Sequence, residues 1–92
     1  MIIHLWHLAM WEGPTSNVWT EQDCLLLGSL RNVFNDAKSC KTECKYGRYK
    51  TCNAVVLQQT PGWCDFYECP NPVPNPSEKI DDSVGYYLDK GK

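Results

Sequence analysis

Residues 40–69 read CKTECKYGRYKTCNAVVLQQTPGWCDFYEC, and this stretch holds five of the chain's six cysteines. Cys40 and Cys44 stand four apart in a run with helical character, whereas Cys52 and Cys64 each open a run that reads as a strand. Asn35 or Asp36 offers a short side-chain oxygen to the first free N–H groups of a helix. Gly47 stands where a helix ends. A helix is therefore expected to start about Asp36 and to stop just before Gly47. On it Cys40, Cys44 and Ala37 share one stripe, while Lys38, Lys41 and Lys45 face elsewhere. Such a helix docks through two sulfurs and not through a broad leucine face.

What it docks on follows in the chain. CNAVVLQ (52–58) is rich in β-branched residues and alternates Cys52, Ala54 and Val56 against Asn53, Val55 and Leu57, which predicts a strand. QQTPG (58–62) is a turn. WCDFYEC (63–69) is a second strand, with Cys64 and Phe66 on one face and Trp63, Asp65 and Tyr67 on the other. The two strands form an antiparallel hairpin from which Cys52 and Cys64 both point at the helix.

A chain of 92 residues is one small domain whose core alone gives thin stability. An even set of six cysteines in so short a chain predicts a disulfide framework and an oxidising, secretory setting. Zinc is the rival reading. Structural zinc sites usually show two short Cys or Cys/His pairs at two-to-four spacing. Here C-x3-C and C-x4-C stand apart, with seven and then eleven residues between the intervening cysteines. No pair is a C-x2-C knuckle, and neither histidine lies near the cluster. No metal and no cofactor is expected. His4 and His7 form an HxxH pair, but without a third ligand or the glutamate of HExxH they carry no metal expectation.

Six cysteines leave many connectivities open. A Cys40–Cys44 bridge would span one helical turn and tie down nothing remote. The economical solution bonds each helix cysteine to a different strand: Cys44 to Cys52, nearer in sequence, and Cys40 to Cys64. Cys24 is left with Cys69, which has the opposite parity to Cys64 and so should point away from the helix. Loop closures of this size are worth roughly 3–4 kcal/mol each.

Outside the knot, MIIHLWHLAMWEG is too short to span a membrane and makes a poor signal peptide. It reads as a truncated signal, an expression remnant or an N-terminal strand. Because disulfides require export, the chain reads as an excised domain, with residues 1–17 an N-terminal segment and 18–92 a single domain. Cys24 heads an apolar run, CLLLG, predicted to be a short strand stopping at Gly28, and SLRNVFND (29–36) is a second strand or the approach to the helix. PNPVPNPSEKIDDS (70–83) is an extended surface segment, because its prolines donate nothing to a ladder. VGYYLDK (84–90) is a last strand returning to the sheet. The fold class is α+β: a small disulfide-rich domain with one short helix packed on an antiparallel sheet.

The array of Asp23-Cys24, C-x3-C at 40–44, CNAVVLQ at 52–58, C-x4-C at 64–69 and GYYL at 85–88 resembles the PAN/apple superfamily. More narrowly, it is similar to the MANSC domain of animal extracellular proteins. The match covers about Asp23 to Leu88. The family carries two further cysteines, whereas Lys45 occupies the first of those places here and nothing after Cys69 fills the second. The resemblance implies a non-catalytic recognition unit for an extracellular protein or a glycan.

Within that expectation, five of the nine basic residues, Lys38, Lys41, Lys45, Arg48 and Lys50, gather on the helix and the loop after it. They are the candidate ligand-binding residues, and heparin or another sulfated glycan is the specific partner they suggest. The alternative for the cluster is a solvated helix face. A second candidate surface is aromatic: Trp63, Tyr67, Tyr86 and Tyr87, with Trp11 and Trp19 near them. The net charge of −2 gives no reason to expect nucleic acid. Membrane insertion is not expected either, and the oligomeric state is left open. No activated serine, free thiol or C-x-x-C redox pair presents itself, so no enzyme is expected. A small secreted inhibitor or toxin-like disulfide protein is the competing class.

Overall fold

In the computed structural model, residues 10–33 and 36–89 are described. They form β1 (Met10–Thr15), β2 (Asn17–Val18), β3 (Leu25–Arg31), α1 (Ala37–Tyr46), β4 (Ala54–Gln58), β5 (Trp63–Glu68), β6 (Glu78–Lys79) and β7 (Ser83–Asp89). Five strands make one antiparallel sheet in the order β1-β7-β4-β5-β3, and β2 pairs with β6 in a separate ribbon. The class is α+β, one helix packed on an antiparallel sheet, held by three disulfides.

Strand β4 explains why AVVL carries no polar residue. It lies between β7 and β5 and is covered on both faces, so Ala54, Val55, Val56 and Leu57 are all buried. Its period-two alternation divides the interior into two cores. Val55 and Leu57 pair across the ladder with Phe66 and Cys64 and meet Cys40, Cys44 and Cys52 beneath α1. Ala54 and Val56 face the other way, toward Val18, Trp19, Tyr67 and the Cys24–Cys69 bridge.

Helix α1 begins where a cap was expected. The Asp36 carboxylate accepts from the backbone N–H of Ser39 at 3.0 Å, and the helix closes with Gly47 N–H donating to the Glu43 carbonyl. Asn35, the other capping candidate, lies outside the described residues. Cys40 and Cys44 are the helix's buried residues. The bridges join Cys24 to Cys69, Cys40 to Cys64 and Cys44 to Cys52, with Cα separations of 4.5, 6.1 and 5.3 Å.

Four details differ from the sequence reading. Cys52 precedes β4, and its sulfur reaches the helix from the loop; it does not share the strand parity of Ala54 and Val56. Strand β3 does not stop at Gly28: an irregularity between Leu26 and Gly28 resets the register, and the strand runs on to pair Arg31 with Trp63. The end of the Tyr49 side chain lies over Gly28, where any Cβ would collide with it. The boundary between 17 and 18 also moves, because β1 is the edge strand of the main sheet and pairs with β7 from Met10↔Asp89 to Thr15↔Gly85. The domain therefore takes in residues 10–17. Finally, the proline-rich segment is not only surface. Val73 packs into the second core, and the Pro74 carbonyl accepts from Trp19 Nε1 at 2.9 Å.

That second core is closed by two polar ties. The Asp23 carboxylate accepts from Thr20 N–H at 3.0 Å and from the Ser77 hydroxyl at 2.8 Å, joining the turn before β3 to the end of the proline segment. Asn53, buried ahead of β4, behaves like a strand residue through its side chain. Its Nδ2 donates to the Cys69 carbonyl at 3.0 Å and its Oδ1 accepts from Cys69 N–H at 2.7 Å. The six-membered ring of Trp19 lies close against Gly85, whose missing Cβ leaves room for the indole, and meets Tyr87 edge-on at 5.8 Å.

Candidate functional site

The basic residues divide into two groups in space. Lys38, Lys41 and Lys45 recur at three- and four-residue intervals, which puts them on one stripe of α1 beside the buried cysteine stripe. With Trp11 of β1, Thr42 and Tyr46 they line a cleft of about 480 Å³ between the helix and the β1 edge of the sheet. Lys38 and Lys45 are exposed, and Lys41 is half-buried, its ammonium 4.4 Å from the centroid of the Tyr86 ring. An ammonium over an aromatic face keeps its charge while its alkyl stem covers apolar surface. Lys45 leans on the exposed Tyr46 ring at 5.5 Å.

Arg48 and Lys50 do not join this stripe. The helix ends at Tyr46, and Gly47 turns the chain into extended backbone, so both residues project from the following loop. The Arg48 guanidinium lies 5.9 Å from the Tyr49 ring, and its backbone N–H donates to Glu43 Oε2 at 3.4 Å. Of the five candidates, the structure brings three together and sets two aside.

The aromatic residues likewise do not form one patch. Trp11 and Tyr86 pack against the helix-side core, while Trp19, Tyr67 and Tyr87 belong to the core on the opposite face. Trp63 sits near the β3 edge under the Arg31 guanidinium, 3.9 Å from its ring centroid. Alternating strand residues point to opposite faces, so neighbours such as Tyr86 and Tyr87 are separated by the sheet.

Trp11 and Tyr46 were not among the basic-face candidates, yet they supply the walls of the cleft. Tyr46 carried a signal, because it follows Lys38 and Thr42 at helical spacing. Trp11 carried none, since only the long-range pairing of β1 with β7 brings it to the helix. His4 and His7 lie outside the described residues, and among those described no group of three or more histidine, cysteine or acidic side chains is arranged to hold a metal. No helix among the described residues is long and apolar enough to cross a membrane. No protein-family model, curated protein or solved structure matches the chain.

Proposed function

We propose that this protein is an extracellular, non-catalytic recognition module of PAN/apple-like type, and that its α1 face engages an anionic partner, a sulfated glycan being the best fit. The supporting observation is the stripe of Lys38, Lys41 and Lys45 along one wall of a cleft whose opposite side carries Trp11. Cations spaced along a helix match the repeated sulfates of an extended chain. Apolar and aromatic surface between them accepts the sugar faces. Three disulfides, the crosslinks typical of extracellular proteins, favour the same setting. The scaffold suits the task, because bridging α1 twice to the sheet region holds the stripe rigid without ligand.

Heparin-column retention of the folded domain tests the reading. Wild type should be retained at low salt and elute as salt rises, because screening weakens exposed charge contacts. Lys38→Ala/Lys41→Ala/Lys45→Ala should pass through, while Arg48→Ala/Lys50→Ala should elute close to wild type. Flow-through of the wild type, or equal loss in both variants, refutes the assignment to this stripe.

A further inference from the structure

The sheet face opposite α1 carries a second concavity of about 570 Å³, of a size that small ligands and single side chains occupy. Its floor is apolar and aromatic: Val18, Trp19, Val56 and Tyr67. Glu21, Asp65 and Glu78 stand among its lining residues, so the cleft carries charge opposite to that of the α1 stripe. Ile80, 38 % exposed, adds an aliphatic side.

Tyr67 makes this more than a ring of carboxylates. The residue is only 6 % exposed, yet it lines the cleft, and its hydroxyl forms no hydrogen bond among the described residues. The hydroxyl oxygen itself is not sealed from solvent, so it stands open to water and to a ligand entering the cleft. Burial, together with Asp65, Glu21, Asp23 and Glu78, pushes the Tyr67 phenol up to about 12, so it stays neutral and can accept a hydrogen bond. The same carboxylates would attract a cation placed beside it. The remaining polar groups are partly committed: Asp65 accepts from Ser29 Oγ at 2.7 Å and from Gln58 Nε2 at 3.3 Å, leaving Glu21 and Glu78 as the freer anions.

We propose that this cleft binds an alkyl chain tipped by a cationic nitrogen group, that of a lysine or arginine side chain presented by a partner protein. The stem would lie along Val18, Val56 and Ile80, as long basic side chains do on apolar surface. The head would reach the Tyr67 hydroxyl and the Glu21 and Glu78 carboxylates. Two faces of one sheet would then recognise partners of opposite charge.

Amide-resolved NMR titration of the intact, disulfide-bonded protein tests this with four probes: N-acetyl-lysine amide, N-acetyl-arginine amide, the uncharged N-acetyl-norleucine amide, and spermidine. Lysine or arginine probes should shift amides around Val18–Gln22, Val56–Gln58 and Tyr67, and norleucine should not. Tyr67→Phe, which keeps the ring, should weaken binding about fivefold by removing one hydrogen-bond partner. Glu21→Gln/Glu78→Gln, both at exposed positions, should weaken it by a similar factor and reduce its salt dependence. Equal response to norleucine, no shifts at the cleft, or wild-type binding in both variants would each overturn the proposal. Binding of spermidine alone would overturn its assignment to a protein side chain.

Discussion

Replacing Cys40 and Cys64 together by alanine should cost about as much as removing the Cys24–Cys69 bridge, although it does not close the longest loop. Loop entropy alone ranks the bridges by their separations of 45 residues for Cys24–Cys69, 24 for Cys40–Cys64 and 8 for Cys44–Cys52, at about 4.0, 3.4 and 2.5 kcal/mol. The Cys44–Cys52 bridge is nested inside the Cys40–Cys64 loop and shortens it, which lowers the middle figure to about 3 kcal/mol. The Cys40–Cys64 bridge in turn shortens the Cys24–Cys69 loop, to about 3.4 kcal/mol. Packing adds to both: Cys40 and Cys64 are 0 % exposed between α1 and the sheet, and Cys24 and Cys69 only 6 % and 7 %. Losing two fully buried sulfurs, each about the size of a methylene, adds about 0.8 kcal/mol apiece before any cavity term. The total is about 5 kcal/mol, comparable with the whole stability of a modest domain. At about 4–8 °C per kcal/mol, Tm should fall by 20 °C or more. Calorimetry or far-ultraviolet circular dichroism on the three double variants decides the matter. A Cys40→Ala/Cys64→Ala protein melting within about 8 °C of wild type would refute the packing contribution.

Other substitutions probe the second core and the polar ties. Asn53→Ala should destabilise by about 2 kcal/mol or more in denaturant unfolding, because both buried groups of Cys69 lose their partner. Gly85→Ala should cost about 1–3 kcal/mol and alter Trp19 fluorescence, since the new methyl meets the buried indole. Stability should fall in acid. Burial raises the Asp23 carboxyl, but hydrogen bonds from Thr20 and Ser77 outweigh it, and hydrogen bonds from Ser39 lower Asp36, so both sit below the ordinary value of 3.8. Their stabilisation is complete above the unfolded value and is lost as pH drops through the folded ones. Tm should therefore hold to about pH 5 and decline below about pH 4, less steeply in Asp23→Asn. In alkali the sign is opposite: the raised Tyr67 value removes stability as pH climbs from about 10 through 12, a loss that should vanish in Tyr67→Phe and be visible in the phenolate absorbance.

Much of the helix and hairpin was legible because the relevant signals are local. Asp36 before the helix, Gly47 after it, and Cys40 and Cys44 one turn apart describe α1 without reference to the rest of the chain. The turn at 58–62 and the β-branched run before it likewise describe β4 and β5. Alternation misled only at Cys52, since parity applies inside a strand and this cysteine lies just before one. Gly28 misled in the same way: a glycine that reads as a stop is instead the place where Tyr49 passes over a continuous strand.

The candidate surfaces were less legible, because a surface is defined by partners distant in sequence. Helical spacing alone put Lys38, Lys41 and Lys45 on one stripe. That Arg48 and Lys50 fall outside it depends on the chain leaving the helix at Gly47. The aromatic group scattered because Tyr86 and Tyr87 lie on opposite faces of a strand that the order β1-β7-β4 places inside the sheet.

By itself the sequence determined the secondary structure around the cysteines, the oxidising chemistry and the basic helix face, all of which follow from residue type and short-range periodicity. The tertiary structure alone decided that β7 enters the sheet between β1 and β4 and that Trp11 walls one cleft. It also decided that Asn53 braces Cys69 and that Tyr67 opens its hydroxyl into a second cleft. Each of these rests on the pairing of segments tens of residues apart, where the energy comes from burial shared between partners and leaves no periodic trace in either one.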